Sequence, residues 1–127
     1  MKKDQQIYSP SIMAIAKNTK YSGRMNAPDA AAIIKGPCGD ELEFYLCIKN
    51  GIIEDIKFYT ELGCMATIIC AETTARLAHK KTVDQALSIS PQQVKMMIKD
   101  LPENHQHCFI LAVSTLYRAI ANYLLKD

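Results

Sequence analysis

Glu41-Leu42-Glu43-Phe44-Tyr45-Leu46-Cys47-Ile48-Lys49, then Asn50-Gly51, then Ile52-Ile53-Glu54-Asp55-Ile56-Lys57-Phe58-Tyr59-Thr60, is the stretch on which the fold turns. In its first half Leu42, Phe44, Leu46 and Ile48 fall on one face of an extended chain, and Glu41, Glu43, Tyr45, Cys47 and Lys49 on the other. That is the pattern of a half-buried strand. Asn-Gly readily adopts the positive φ angles of a tight hairpin, so the second run is expected to return as an antiparallel partner. A strict two-residue loop would set Phe44 against Lys57 and Leu46 against Asp55, placing charge on the core face. A shift of one residue, through a three-residue loop or a bulge, pairs Phe44 with Phe58 and Leu46 with Ile56 instead. The shifted register is the one expected.

Upstream of this hairpin, Ala30 to Lys35 reads as a short strand whose bulky residues are Ile33 and Ile34. Ser9-Pro10 supplies an N-cap and a proline at the first helical position, predicting a helix over 10–17, with 18–23 and 25–29 as loop and 1–7 as a loose polar start. Downstream, Gly63 ends the sheet and a helix is expected from Cys64 to about Lys80. Thr82-Val83-Asp84-Gln85 and Ser90-Pro91-Gln92-Gln93 carry capping-box spacing, predicting short helices over 83–88 and 91–100. From Cys108 to Leu125 an apolar stripe through Phe109, Ala112, Leu116 and Ile120 predicts the longest helix. With strands first and helices after, the expectation is an α+β fold: a small antiparallel sheet of about three strands, helices packed on one face, and residues 1–127 forming a single domain.

Composition narrows the function. Apolar residues make up 49% and charged residues 22%, ordinary for a globular chain, and the net charge of +2 is spread along it, which argues against a nucleic-acid partner. No run approaches the roughly 18 to 20 apolar residues of a membrane span, and Met1-Lys2-Lys3-Asp4-Gln5-Gln6 leads into no apolar signal core, so a cytoplasmic location and no membrane partner are expected. Five cysteines, an odd number, argue for reduced thiols and for metal or sulfur chemistry rather than a disulfide framework. No Cys-x-x-Cys pair is present, so a zinc ribbon or thioredoxin-type motif is excluded.

Three of the thiols stand in pointed settings. Cys38 lies in the turn Gly36-Pro37-Cys38-Gly39-Asp40, Cys64 follows Gly63 where strand gives way to helix, and Cys108 follows His107 at a helix start. A hairpin brings Cys38 and Cys64 to the same end of the sheet. At helix N-termini, unpaired N–H groups and solvent access would favour thiolate at Cys64 and Cys108. These three thiols and Asp40 are expected to meet, with His107 as a further ligand. Cys47, mid-strand, and Cys70, mid-helix, read as packing residues, His79 and His105 as capping or surface histidines, and Met96-Met97-Ile98 as core or contact surface. A nucleophile at Cys108 with His107 as its base is disfavoured, because helical neighbours point about 100° apart.

At these residues the chain resembles the iron-sulfur cluster assembly scaffold family, the IscU type and the N-terminal part of the NifU type. The family's Cys-Gly-Asp loop is matched by Cys38-Gly39-Asp40, its Gly-Ile-Ile-Glu-Asp turn by Gly51-Ile52-Ile53-Glu54-Asp55, and its Gly-Cys by Gly63-Cys64. Lys81-Thr82-Val83-Asp84-Gln85-Ala86 and His107-Cys108-Phe109-Ile110-Leu111-Ala112 are similar to two further family segments, and Tyr8-Ser9 and Asn18 keep the family's spacing. The resemblance implies a scaffold, not an enzyme. Cys38, Cys64 and Cys108 would hold a nascent [2Fe-2S] cluster, and Asp40 with His107 would help ligate iron and keep the cluster labile. Sulfur would come from a cysteine desulfurase, with Cys108 as acceptor, and apo iron-sulfur proteins would receive the product.

Zinc suits the same donors, so a zinc-binding structural or regulatory domain is the alternative. Four segments depart from the family. Leu101-Pro102-Glu103-Asn104-His105 replaces Leu-Pro-Pro-Val-Lys, which argues against the usual Hsp70-type chaperone partner. Cys64-Met65-Ala66-Thr67 replaces Cys-Gly-Ser-Ala, Asn18-Thr19-Lys20-Tyr21 replaces Asn-Pro-Arg-Asn, and the segment before Cys38 is about one residue shorter. A specialised scaffold fits these departures, and a homodimer is left open.

Overall fold

The apolar faces of the hairpin decide its register. In a computed structural model of the protein, described over residues 8–36, 39–61, 64–99, 101 and 106–126, β1 (Ala30–Lys35), β2 (Glu41–Lys49) and β3 (Ile52–Thr60) form one antiparallel sheet in the order β1-β2-β3. Phe44 stands opposite Phe58 and Leu46 opposite Ile56, as the core-face argument requires. The adjustment is a bulge: Lys49 pairs with Ile52 and Ile48 with Ile53, then the register shifts between Cys47 and Ile48 so that Cys47 faces Asp55. The turn thus keeps its two-residue loop, with Asn50 and Gly51 both at positive φ, 54° and 76°.

Five helices accompany the sheet: α1 (Pro10–Lys17), α2 (Met65–Ala78), α3 (Val83–Leu87), α4 (Pro91–Met97) and α5 (Gln106–Leu124). α5 packs on β1 and β2, and α2 on β3 and α5, so the two longest helices cover the sheet's apolar face. Leu42, Phe44, Leu46, Ile53, Ile56 and Phe58 are buried beneath them. Phe44 and Phe58 meet edge-on, centroids 6.4 Å apart, an arrangement worth about 0.5–1.5 kcal/mol beyond the area it buries.

α2 is buried on nearly all sides because its residues are small. Ala66, Thr67, Ala71, Thr73, Thr74 and Ala75 let α1, α5 and β3 approach it together, and Thr73 and Thr74 return their hydroxyls to Ile69 O at 2.9 Å and Cys70 O at 2.8 Å. The helix ends are those the caps dictate, with small adjustments. Ser9 and Ser90 accept from Ile12 N and Gln93 N, and Thr82 with Gln85 forms a reciprocal capping box. α4 stops at Met97 rather than at 100, since Ile98 has left helical geometry at φ −133°. α2 stops at Ala78, two residues early, because Lys80 adopts a positive φ of 68° to return the chain to β3. Residues 1–7, expected to be loose, lie outside the described residues.

The outer edge of β3 is covered at both ends. Gly23 N donates to Phe58 O and Phe58 N to Tyr21 O, both at 2.8 Å, while Ile53 N donates to Lys81 O and Lys80 N to Ile53 O, also at 2.8 Å. An edge strand that would otherwise present unpaired backbone groups is closed by the chain itself.

Candidate metal centre

One end of the sheet collects the chemistry. β2 begins at Glu41 and β3 ends at Thr60, paired through Leu42 and Thr60, so the segment before β2 and the segment after β3 emerge side by side. The first is turned back by Gly36 N donating to Asp40 O at 2.7 Å, with Gly39 at φ +95°, a value open to glycine and strained for other residues. This turn drives Asp40 inward, where only 1% of it is exposed.

Asp40 meets α2 and α5. Thr67, in the first turn of α2, donates its hydroxyl to Asp40 Oδ2 at 2.8 Å, and Thr67 Oγ1 also lies 3.8 Å from Cys108 Sγ in the first turn of α5. Cys108 Sγ is in turn 3.6 Å from His107 Nε2. A continuous chain of polar side chains therefore runs His107, Cys108, Thr67, Asp40 across three segments distant in sequence. Asp40 Oδ1 is buried and has no hydrogen-bond partner among the described residues. A carboxylate oxygen in that position is costly unless something positive completes it.

Cys70 adds a fifth group from the next turn of α2. It hydrogen-bonds Cys108, which pulls the Cys108 thiol below its ordinary value; burial opposes this, the Thr67 hydroxyl assists and the Asp40 charge works against it. The Cys70 thiol itself is pushed well up, first by that bond to Cys108 and then by burial. Cys64, half-buried, is the N-cap of α2 and makes no side-chain capping bond. Tyr8 packs against the core beside this cluster, and its hydroxyl pKa is raised by burial first and then by the charges of Cys64, Cys108 and Cys70.

Set against the sequence expectations, Asp40, His107 and Cys108 come together, and Cys64 joins the same helix face as Thr67. Cys38 lies outside the described residues, and so do His105 and the segment 102–105 that would bear on a chaperone partner. Among the described residues no three His, Cys, Asp or Glu side chains stand where they could hold one metal ion together. Thiol, carboxylate and imidazole side chains are nevertheless donor types that suit iron.

Two expectations need correction. Cys108 is buried, not solvent-accessible, because α5 starts at Gln106 and its first turn packs against α2. His107 and Cys108 do reach each other despite adjacent positions, since both side chains lean toward the helix N-terminus and the C–S bond is long. Cys70 is packed in the core as expected, and there it also reaches Cys108. Thr67 was missed altogether, although Cys64, Thr67 and Cys70 recur at intervals of three along α2, the spacing of one helix face. His79 behaves as expected: it is the C-cap of α2, with its ring 3.0 Å from Tyr21 Oη and 3.1 Å from Glu54 O.

Comparison with known proteins accords with this arrangement. The family described as "NifU-like N terminal domain" matches residues 7–127. The chain is 34% identical over 122 residues to the "Iron-sulfur cluster assembly scaffold protein IscU 1" of Archaeoglobus fulgidus, covering 95% of this chain and 79% of that one. It is 30% identical over 125 residues to the Haemophilus influenzae protein named "Iron-sulfur cluster assembly scaffold protein IscU", covering 94% of this chain and 98% of its relative. Among solved structures, a NifU-like N-terminal protein from Brucella abortus superposes with a TM-score of 0.73 at 19% identity, over 94% of this chain and 95% of that one, a likeness of fold. Sequence and fold together place the chain in the NifU-like N-terminal domain family, to which it belongs.

Proposed function

We propose that this protein is a scaffold on which an iron-sulfur cluster is assembled and from which it passes to apo-proteins. The observation that carries the reading is Asp40: a buried carboxylate with one oxygen held by Thr67 and the other unpartnered among the described residues, one hydroxyl away from a cysteine whose thiolate is favoured. Such an oxygen is placed to take a cation. The cluster is cargo, of [2Fe-2S] type, with Cys38, Cys64, Cys108 and Asp40 as its ligands and His107 as a further metal donor. Residues 1–127 act as one scaffold domain in the cytoplasm.

Each residue has a distinct chemical part. Cys108 accepts sulfur from a cysteine desulfurase: its thiolate attacks the outer sulfur of the donor's persulfide, the donor's S–S bond breaks, and the donor leaves as thiolate while Cys108 becomes the persulfide. No net electrons are exchanged in that step. Cys70, whose thiol pKa is raised by its bond to Cys108 and by burial, supports the attacking sulfur from the side. Asp40, a hard oxygen among soft sulfurs, keeps the bound cluster exchangeable.

The test is anaerobic incubation with ferrous iron, cysteine and a cysteine desulfurase, followed by visible absorption. Sulfide-to-iron bands should develop, and Cys108→Ser should abolish them while Cys47→Ser leaves them in place. A protein that takes up metal but never develops these bands refutes the scaffold reading.

A further inference from the structure

We propose that Thr67 is a positioning residue of the metal centre: its hydroxyl ties up one oxygen of Asp40 so that the other is presented, singly and inward, to an incoming divalent ion. The inference rests on the reading of Asp40 as a ligand. It starts from the inventory of one hydroxyl group. Thr67 has a single hydrogen to donate, and Asp40 Oδ2 at 2.8 Å receives it in the better geometry. Cys108 Sγ, at 3.8 Å, lies farther from the same hydroxyl oxygen than Asp40 Oδ2 does. Thr67 therefore couples the carboxylate of one segment to the thiol of another, across 27 and 41 residues of chain.

Its own freedom is small. Thr67 is 1% exposed and held in the first turn of α2, and a β-branched side chain in a helix has few rotamers. Asp40 is equally buried, so its carboxylate has little room to rotate and exchange its oxygens. The result is an asymmetric carboxylate in which Oδ2 is spoken for and Oδ1 is buried and unpartnered among the described residues. Carboxylate ligands held this way by an outer hydrogen bond are preorganised, and removing the outer partner typically lowers metal affinity by about 10–100-fold.

Cobalt(II), whose thiolate charge-transfer and d–d bands report binding directly, stands in for the ferrous ion. Titrated into the metal-free protein, it should bind about 10–100-fold more weakly to Thr67→Val than to the unaltered chain. Thr67→Ser, which keeps the hydroxyl, should restore most of the affinity, and urea denaturation should show all three folded. Thr67→Ala, read the same way, serves where the valine variant does not fold. In an Asp40→Ala background the valine substitution should change nothing further. The proposal is overturned if Thr67→Val binds as tightly as the unaltered chain, or if it weakens binding equally with Asp40 already gone. A different failure, in which Asp40→Ala itself leaves cobalt affinity unchanged, removes Asp40 as a ligand and takes the proposal with it.

Discussion

Two buried carboxylates, Glu72 on α2 and Asp40 beside its first turn, show how differently the same group can be satisfied. Glu72 is fully buried and fully used: Lys20 N and Tyr21 N donate to it at 2.9 and 3.2 Å, and Arg76 Nε at 3.2 Å. It pins the loop after α1 to α2, and that loop in turn covers the edge of β3. Asp40 is as deeply buried, yet receives one hydrogen bond and keeps an oxygen without a partner among the described residues. A satisfied carboxylate is a rivet. An unsatisfied one costs stability, and its persistence points to a task.

The largest effect should come from breaking the rivet. Glu72→Ala orphans two backbone N–H groups at about 1–3 kcal/mol each, so urea unfolding should show a loss of roughly 2–5 kcal/mol. Asp40→Ala should instead leave stability within about 1 kcal/mol of the starting value, because the hydrogen bond lost is offset by the unpaired oxygen removed. If Asp40→Ala destabilises as much as Glu72→Ala, the contrast between the two fails.

Function should reverse the order. Glu72→Ala, kept below its unfolding transition, should retain cluster assembly, whereas Asp40→Ala should lengthen cluster lifetime and slow transfer to an apo-acceptor, followed by loss of visible absorption from one protein and its gain in the other. A free divalent ion gains more from a hard oxygen ligand than a sulfide-bridged, thiolate-ligated cluster does, so the same variant should bind cobalt(II) more weakly. An unchanged transfer rate would leave Asp40 as a loop-capping residue.

Thiol labelling sharpens the comparison at finer scale. Cys64 and Cys47 are half-buried, while Cys70 and Cys108 are buried. The Cys47 thiol is also pushed up, first by its surroundings' desolvation and then by Asp29. A limiting thiol reagent should therefore modify Cys64 first, Cys47 next, and Cys70 and Cys108 last. Metal should protect Cys64 and leave Cys47 unchanged; equal protection of both would separate Cys64 from the site.

The smallest effect belongs to the sheet's other face. Arg24 donates to both oxygens of Glu43 at 3.1 Å and lies 3.9 Å from the Tyr59 ring centroid. This holds the Glu43 carboxyl below its ordinary value, the Arg24 bond outweighing burial and the Tyr45 hydroxyl assisting. The stability it contributes is present above the unfolded pKa of about 4.3 and is lost as pH falls through the lower folded value. Arg24 is more than half exposed and screened by salt, so Glu43→Gln should flatten the acid limb by less than about 1 kcal/mol.

What could be read in the chain before its structure was local in character. Alternation over 41–49, Asn50-Gly51, and the caps at Ser9, Thr82 and Ser90 each act over a few residues, so strands, turn and helix starts follow from them. Even the hairpin register was accessible, because a slip of one residue would have put Lys57 and Asp55 against the core face. Helix ends were less so, since where α4 and α2 stop depends on where the chain must go next.

The site divides along the same line. That Asp40, Cys108 and His107 are candidates for chemistry follows from residue types in turn and helix-start contexts, and the motif order through Cys38, Cys64 and Cys108 is what marks the resemblance to the family. That Thr67 and Cys70 join them required the fold, because a threonine and a cysteine within an alanine-rich helix look the same whether they face the core or another thiol. Only the packing of α2 between α5 and β3 sets Thr67 Oγ1 within reach of Asp40 and Cys108 at once. Burial was likewise decided by tertiary structure: a helix start favours thiolate through local N–H groups, but whether Cys108 sees solvent depends on which element lies over it. Periodicity specifies a residue's face; distance to groups 27 and 41 positions away is set by the packing of whole elements.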